Sequence, residues 1–238
     1  MDAAIPDKSQ FHLYLLIGQS NMVGKNQIEP DDAKPHPRLL AMTRHYEWAE
    51  AKNPLYSTEE CGVGPGWTFG ITMAEHFPDA AIGIIPAAVG ATPLLLWERG
   101  AQLYDHALYR VTRAIGRGTL KGVIWHQGEA DARVEEYAMT YGSRLAMMIA
   151  DLRADLGDPA LPFIVGTLCE AFAAPFAKHV NEVLFRLPEH VPHTACALST
   201  GLGHTGDTVH FTAKSARELG KRYAQEMLRV QAGCRCRD

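Results

Sequence analysis

A serine lies at the point where an apolar, strand-like segment ends. Ser20 follows the apolar run 13–17 and the pair Gly18-Gln19. A short buried strand that ends in Gly-x-Ser presents the hydroxyl at the carboxyl edge of a parallel sheet, where open α/β folds bind their ligands. Ser20 is therefore a candidate nucleophile, provided that a base lies elsewhere in the chain. The tripeptide alone favours another interpretation, in which Ser20 caps the helix that follows.

A candidate base and an acid to orient it lie near the other end of the chain. Asp207 and His210 are three residues apart and precede a segment with helical periodicity. In acyl transfer by a serine, a histidine takes the hydroxyl proton and an acid holds the imidazole in the correct tautomer. This pair could supply both functions to Ser20. Taken alone, Asp-x-x-His is equally compatible with a surface or capping histidine.

The same chemistry needs hydrogen-bond donors for the oxyanion that develops on the substrate. Three candidates follow strand-like segments: the backbone N–H of Ser20, the backbone N–H of Gly90 and the side-chain amide of Gln127. Glycine suits this function because the missing Cβ lets the backbone approach a ligand closely. The local alternative for Gly90 is a simple strand-to-helix turn.

Three ionisable residues are crowded into the segment 125–131. His126, Glu129 and Asp131 do not have the spacing of an established zinc motif, so we predict no metal. Glu129 is a second candidate to orient the imidazole of His210. The alternative is a solvated charge at the start of a helix, where the helix dipole favours a carboxylate.

Strands and helices alternate along the chain. Short, nearly continuous apolar runs predict five buried strands at 13–17, 81–86, 122–125, 163–168 and 194–198, and 38–42 is a less continuous candidate. Helical spacing is found at 67–77, 102–115, 134–156, 175–187 and, capped by Thr212, 213–230. This alternation predicts an α/β fold, a three-layer α/β/α arrangement with a mostly parallel five-stranded sheet. The carboxyl ends of its strands would bring the candidate residues to one edge.

Composition indicates an ordinary globular protein. The chain has 238 residues, 21% charged and 47% apolar, with a net charge of −4, and we predict a single domain over 1–238 with its core at about 11–231. No basic patch suggests nucleic acid, and no segment is long enough to span a membrane. No signal peptide is seen, so we expect a cytoplasmic location, although a leader removed earlier would leave the same sequence. Cys234 and Cys236 have no predicted role beyond tail thiols, and the oligomeric state is not predicted.

Five ordered blocks carry a family resemblance. They are Gly18-Gln19-Ser20-Asn21-Met22, Gly62-Val63-Gly64-Pro65-Gly66 with Phe69, Val89-Gly90-Ala91-Thr92 with Trp97, Trp125-His126-Gln127-Gly128-Glu129-Ala130-Asp131, and Asp207-Thr208-Val209-His210-Phe211-Thr212. In this order they resemble the sialate O-acetylesterase-like domain, related to carbohydrate esterase family 6, within the SGNH hydrolases. The resemblance spans residues 11–225, and five blocks are far more specific than one tripeptide.

The resemblance implies a serine esterase that removes acetyl groups from a sugar or a similar small ester. It implies that Ser20 is the nucleophile, His210 the general base and Asp207 the residue that orients the base. Glu129 is an alternative or supplementary orienting residue in this family. Which of the two carboxylates dominates stays open at this point.

The resemblance also implies a flavodoxin-like SGNH hydrolase fold without a cofactor. Gly90 and Gln127 fall where the family places oxyanion donors, and Gln127 stands where most SGNH enzymes have asparagine. The expected partner is a small-molecule or glycan acetyl ester. A lipase or thioesterase of the same superfamily, and a non-catalytic carbohydrate-binding relative, are the alternative functions.

Two positions depart from the family pattern. Ala91 replaces the second glycine of Gly-Gly-Thr, and Ala130 replaces the serine of Gln-Gly-Glu-Ser. If the turn needs a positive φ at residue 91, alanine strains it. Met22 also occupies the last position of a Gly-x-Ser-x-Gly pattern, which argues against an α/β-hydrolase nucleophile elbow.

Overall fold

The architecture is a seven-stranded sheet flanked by helices in a computed structural model that describes residues 6–56 and 61–233. The strands are β1 (Phe11–Gly18), β2 (Leu39–Met42), β3 (Trp48–Glu50), β4 (Ala81–Pro86), β5 (Thr119–His126), β6 (Phe163–Gly166) and β7 (Thr194–Ala197). The helices are α1 (Ser20–Val23), α2 (Pro65–His76), α3 (Gln102–Ala114), α4 (Glu135–Leu156), α5 (Ala177–His190) and α6 (Ala213–Gln231). Short 3₁₀ turns cover Lys8–Gln10, Pro30–Ala33, Leu94–Trp97 and Asp131–Arg133.

The five predicted strands are neighbours in the sheet, but the predicted strand number was wrong. The order is β3-β2-β4-β1-β5-β6-β7, so the five predicted strands, β4-β1-β5-β6-β7, follow the flavodoxin-like order, and all of their pairings are parallel. The candidate at 38–42 is β2, which pairs parallel with β4. Strand β3 adds an antiparallel edge to β2. With three residues, β3 is too short to produce a recognisable pattern.

Successive side chains of β5 show that helices cover both faces of the sheet. The Trp125 indole N–H donates to the Tyr141 hydroxyl of α4 over 3.2 Å. The next side chain, His126, hydrogen-bonds the Tyr223 hydroxyl of α6 over 2.9 Å. Because successive residues of a strand face opposite sides, α4 and α6 lie on opposite faces. The predicted three-layer α/β/α fold is therefore confirmed.

Helix α6 shows how the sequence pattern becomes buried packing. The predicted cap is confirmed, since the Thr212 hydroxyl accepts the N–H of Ser215 over 3.1 Å. The residues of its apolar stripe that are buried are Ala216, Leu219, Tyr223 and Met227. This stripe packs on the sheet and against α2. Helix α6 thereby supports the loop that precedes it, which contains Asp207 and His210.

A glycine lets the carboxyl ends of β1 and β5 approach each other. Gly18 has a φ of +124°, and a Cβ placed there would lie 2.1 Å from the carbonyl oxygen of His126. The same carbonyl accepts the N–H of Gln19 over 2.8 Å. A side chain at residue 18 is therefore excluded, and Ser20 is held beside the segment that follows β5.

In residues 6–56 and 61–233, no helix is long and apolar enough to cross a membrane. Within the same residues, Cys61, Cys169 and Cys196 form no disulfide bond. Two sequence predictions lie outside the described residues. They concern the signal peptide at the first residues of the chain and the pair Cys234 and Cys236.

Candidate active site

Ser20 is the first residue of α1, and its hydroxyl does not cap the helix. The N-cap residue is Gln19, which makes no side-chain cap. The Ser20 Oγ lies 2.9 Å from Nε2 of His210, a residue 190 positions away in the chain. The short helix therefore positions the hydroxyl for a contact with a distant histidine.

Asp207 and His210 are brought together by one tight turn. Oδ1 of Asp207 accepts the backbone N–H groups of Val209 and His210 over 2.9 and 2.8 Å. Its Oδ2 lies 2.5 Å from Nδ1 of the His210 imidazole. A carboxylate accepts, so Nδ1 carries the proton and Nε2 offers a lone pair to the Ser20 O–H. The three residues form a continuous hydrogen-bonded chain.

The charge of Asp207 is maintained by the same hydrogen bonds. Desolvation raises the pKa of this carboxyl, but the backbone N–H of His210, its imidazole and the N–H of Val209 outweigh that effect. The pKa of Asp207 is held well below its usual range. The group is therefore an ionised acceptor at neutral pH, as the Nδ1–H tautomer of His210 requires.

The turn itself is strained and is supported from within its loop. Thr208 has a φ of +64°, a conformation that is unfavourable for a β-branched residue and costs of the order of 1–3 kcal/mol. Nδ1 of His204 accepts the backbone N–H groups of Gly206 and Thr208 over 3.0 and 3.2 Å. These bonds hold the strained residue between Asp207 and His210 in place.

Two backbone N–H groups beside the Ser20 hydroxyl are free to donate. A Cβ built on Gly90 would lie 3.8 Å from the Ser20 Cβ, so the two residues are neighbours. Within residues 6–56 and 61–233, neither the N–H of Ser20 nor that of Gly90 has a hydrogen-bond acceptor. Adjacent unpaired donors of this kind can stabilise a negative oxygen on a substrate.

The prediction that Gln127 donates to the oxyanion was wrong, because its amide hydrogens are bonded elsewhere. Its side chain is fully buried. Its Nε2 donates to the carbonyl of Thr92 over 3.0 Å and to Oδ2 of Asp131 over 2.5 Å, which uses both hydrogens. The same Asp131 oxygen accepts the N–H of Leu94 over 3.0 Å. Gln127 and Asp131 therefore hold the loop that carries Gly90, and no amide hydrogen of Gln127 is left for an oxyanion.

Glu129 is buried and does not contact the imidazole of His210. Its Oε1 accepts a hydrogen from Nδ2 of Asn21 over 2.6 Å, and the nearest basic nitrogen is Nε2 of His126 at 3.9 Å. Burial raises the pKa of Glu129, although the hydrogen bond from Asn21 lowers it. Of the two candidate orienting carboxylates, only Asp207 touches His210. Glu129 is also not a solvated helix-terminal charge, since it is 2% exposed.

His126 is a neutral structural residue beneath the site. Burial lowers the pKa of His126 to about 3. The Tyr223 hydroxyl donates to the carbonyl of Trp125 over 2.7 Å, so it accepts the Nδ1–H of His126. In the part of the chain that the structure describes, no three His, Cys, Asp or Glu residues are grouped to hold a metal ion.

The chain matches a known family over most of its length. Residues 10–229 match the family model described as carbohydrate esterase, sialic acid-specific acetylesterase. The chain belongs to this family. It is therefore a carboxylic ester hydrolase, and the predicted family resemblance is confirmed.

Relatives of this esterase agree over nearly its full length. A protein of Arabidopsis thaliana described as a probable carbohydrate esterase is 31% identical and aligns over 91% of this chain and 90% of its own. A crystal structure of an Arabidopsis thaliana protein matches with a TM-score of 0.85 at 29% identity, over 97% of this chain and 100% of that one. The crystal structure of NanS shares the fold, with a TM-score of 0.79 at 16% identity over 96% and 100% of the two chains.

The departure of this esterase from its family pattern at Ala91 produces backbone strain. Ala91 has a φ of +59°, which costs an L-residue about 1–2 kcal/mol. Glycine removes that cost, but its greater freedom in the unfolded chain lowers the stability by about 0.4–1 kcal/mol. We expect Ala91→Gly to raise the free energy of unfolding by about 1 kcal/mol, measured as a higher urea midpoint at unchanged slope. The control is Ala154→Gly, at an exposed position in α4, which should lower the urea midpoint. If Ala91→Gly lowered the urea midpoint as much as Ala154→Gly, the strain at residue 91 would be contradicted.

The buried carboxyl of Glu129 predicts a pH-dependent effect on the stability of the esterase. Since its pKa is raised on folding, the native state binds this proton more tightly than the unfolded chain. Stability is therefore lost as pH rises above the unfolded value of about 4.3. Glu129→Gln does not titrate, so its melting temperature relative to that of the wild type should increase as the pH rises above that unfolded value. The exposed Glu47→Gln is the control, and a pH-independent difference for Glu129→Gln would refute the assignment.

Proposed function

We propose that the protein hydrolyses acetyl esters of a carbohydrate through a covalent acetyl-enzyme on Ser20. The observation that carries this proposal is the hydrogen-bonded chain from Ser20 Oγ through His210 to Asp207, with distances of 2.9 and 2.5 Å. A hydroxyl that donates to a neutral imidazole, itself oriented by a carboxylate, is an activated nucleophile.

In the acylation step, Ser20 Oγ attacks the acetyl carbonyl carbon while Nε2 of His210 takes the hydroxyl proton. The carbonyl oxygen becomes negative and accepts hydrogen bonds from the N–H groups of Ser20 and Gly90. Asp207 stabilises the imidazolium through Nδ1. The intermediate collapses with cleavage of the bond between the acyl carbon and the sugar oxygen, which takes the proton from His210. The sugar leaves with a free hydroxyl.

In the deacylation step, a water molecule replaces the sugar. His210 removes a proton from the water as its oxygen attacks the acetyl carbon on Ser20. The second oxyanion uses the same two N–H donors. Its collapse breaks the bond to Ser20 Oγ, which recovers its proton from His210, and acetate is released. The cycle needs no metal or organic cofactor.

The acetylated carbohydrate is proposed from the family and its relatives. The family model is described as sialic acid-specific, and the Arabidopsis thaliana relative is described as a probable carbohydrate esterase. Both descriptions support an O-acetylated sugar as the substrate, and sialic acid is one member of that class.

A panel of O-acetylated sugars tests the proposal. We expect acetate release from at least one acetylated sugar, with acetyl esters cleaved faster than long-chain esters of the same alcohol, and no loss of activity after dialysis against a chelator. A preference for long acyl chains would instead support a lipase or thioesterase. Failure of Ser20 to react with a fluorophosphonate would support a carbohydrate-binding protein without catalysis.

A further inference from the structure

Asn21 follows the proposed nucleophile directly and takes no part in the acylation and deacylation steps. Its side chain is 3% exposed. The amide makes three hydrogen bonds, all to residues more than 100 positions away. An asparagine buried with this many long-range bonds is held in one orientation. Its partners therefore indicate what it positions.

Two of these bonds fix the backbone on both sides of His210. Nδ2 of Asn21 donates to the carbonyl of Val209 over 3.0 Å, and Oδ1 accepts the N–H of Phe211 over 3.1 Å. In a parallel sheet, one residue likewise donates its N–H to residue i of the neighbouring strand and accepts the N–H of residue i+2. Residue 210 is thereby held between two anchored neighbours. Since Asn21 adjoins Ser20, the nucleophile and the base are tied to each other through one amide.

The third bond sets the orientation of that amide. Oε1 of Glu129 accepts the second Nδ2 hydrogen over 2.6 Å. If the amide were flipped, Oδ1 would face both this carboxyl oxygen and the Val209 carbonyl, while Nδ2 would face the N–H of Phe211. Every one of the three bonds would then become a repulsion between like groups. Glu129 thus selects the orientation in which Asn21 can hold the base-bearing loop.

We infer that Asn21 is a positioning residue that holds His210 at hydrogen-bond distance from Ser20, and that Glu129 acts through Asn21 as a hydrogen-bond acceptor. The inference rests on the proposed function, because it assumes that Ser20 is the nucleophile. Glu129 thereby has a different function from Asp207. Asp207 orients the imidazole ring, whereas Glu129 orients the Asn21 amide, which anchors the backbone on either side of His210.

The phosphonylation rate of Ser20 by a fluorophosphonate tests this inference, because it needs the base but no natural substrate. We expect Asn21→Ala to lower both this rate and kcat on an aryl acetate by about 10²-fold, the effect of displacing a catalytic group by about 1 Å, with little change in KM. Asn26→Ala is the matched control. Asn26 likewise makes three hydrogen bonds, all of them to backbone and one to the Phe211 carbonyl, but it does not bond both neighbours of His210. It should lose stability while keeping most of its kcat.

Two variants of Glu129 test the second half of the inference. Glu129→Leu removes the acceptor and should lower the labelling rate as Asn21→Ala does. Glu129→Gln keeps an oxygen acceptor without the charge, so it should restore most of the rate that Glu129→Leu loses. If Glu129→Gln labels as slowly as Glu129→Leu, the acceptor role is overturned, because the charge of Glu129 would then be needed.

Three further outcomes are decisive. If Asn21→Ala does not fold by circular dichroism, Asn21→Asp keeps the shape but replaces the donor to Val209 with an oxygen, and it should also label slowly. Labelling at the wild-type rate by a folded Asn21→Ala or Asn21→Asp overturns the inference alone. A wild type that does not label at all overturns the proposed function instead.

Discussion

Replacement of Ser20 by alanine should remove hydrolysis of an aryl acetate, with a fall in kcat of about 10⁶-fold, the loss found when the nucleophile of a serine hydrolase is deleted. The physical reason is that Ser20 Oγ is the hydroxyl placed 2.9 Å from the free nitrogen of His210. Without it, only the oxyanion donors and substrate binding remain. Acetate release under single-turnover and steady-state conditions measures the effect.

The Ser20 variant needs a control for the general loss of a hydroxyl. Ser143 is exposed on α4, where its Oγ donates to the carbonyl of Thr140 over 3.0 Å. Ser143→Ala should therefore be as active as the wild type. Substrate binding by Ser20→Ala, measured by calorimetry, should be retained, because the N–H of residue 20 is still present. Turnover by Ser20→Ala near the wild-type rate would eliminate the proposed nucleophile.

Replacement of Asp207 by asparagine should lower kcat by about 10⁴-fold, because the amide selects the wrong tautomer of the base. The carboxylate oxygen 2.5 Å from Nδ1 now holds the proton on that nitrogen. An amide NH₂ in its place would donate to Nδ1 and move the proton to Nε2, which could no longer accept from Ser20. The pH profile of kcat with an activated aryl acetate measures the effect.

The Asp207→Asn variant needs a control at the surface and a comparison with Glu129, the other candidate carboxylate. Asp158 makes a comparable backbone hydrogen bond at an exposed turn, with Oδ1 accepting the N–H of Ala160 over 3.0 Å. Asp158→Asn should leave kcat unchanged. If Asp207→Asn kept its activity while Glu129→Gln lost it, Glu129 rather than Asp207 would be the charged partner of His210.

The central sheet could be predicted because its strands are covered on both faces. The runs that became β1, β4, β5, β6 and β7 are almost continuously apolar, which is the pattern of buried parallel strands. Strand β3, at one edge of the sheet, has three residues, and so short a segment shows no period, while β2 beside it was only a less continuous candidate. The strand number was therefore too low at the edge of the sheet.

The site was predictable where a residue's function depends on its place at a strand end. Ser20, Gly90 and the turn of Asp207 and His210 all follow strands whose carboxyl ends meet. The function of Gln127 depends instead on its partners Thr92 and Asp131, which only the folded chain identifies. Asn21 was missed for the same reason, since its partners lie 108 to 190 residues away.

The turn that brings Asp207 and His210 together has a consequence for how the enzyme loses activity. Asp207 and His210 lie within one four-residue segment at the protein surface, which contains the strained Thr208. A local opening of this turn displaces both groups at once and leaves the sheet intact. We therefore expect thermal inactivation to report on the opening of this surface loop before it reports on the unfolding of the core.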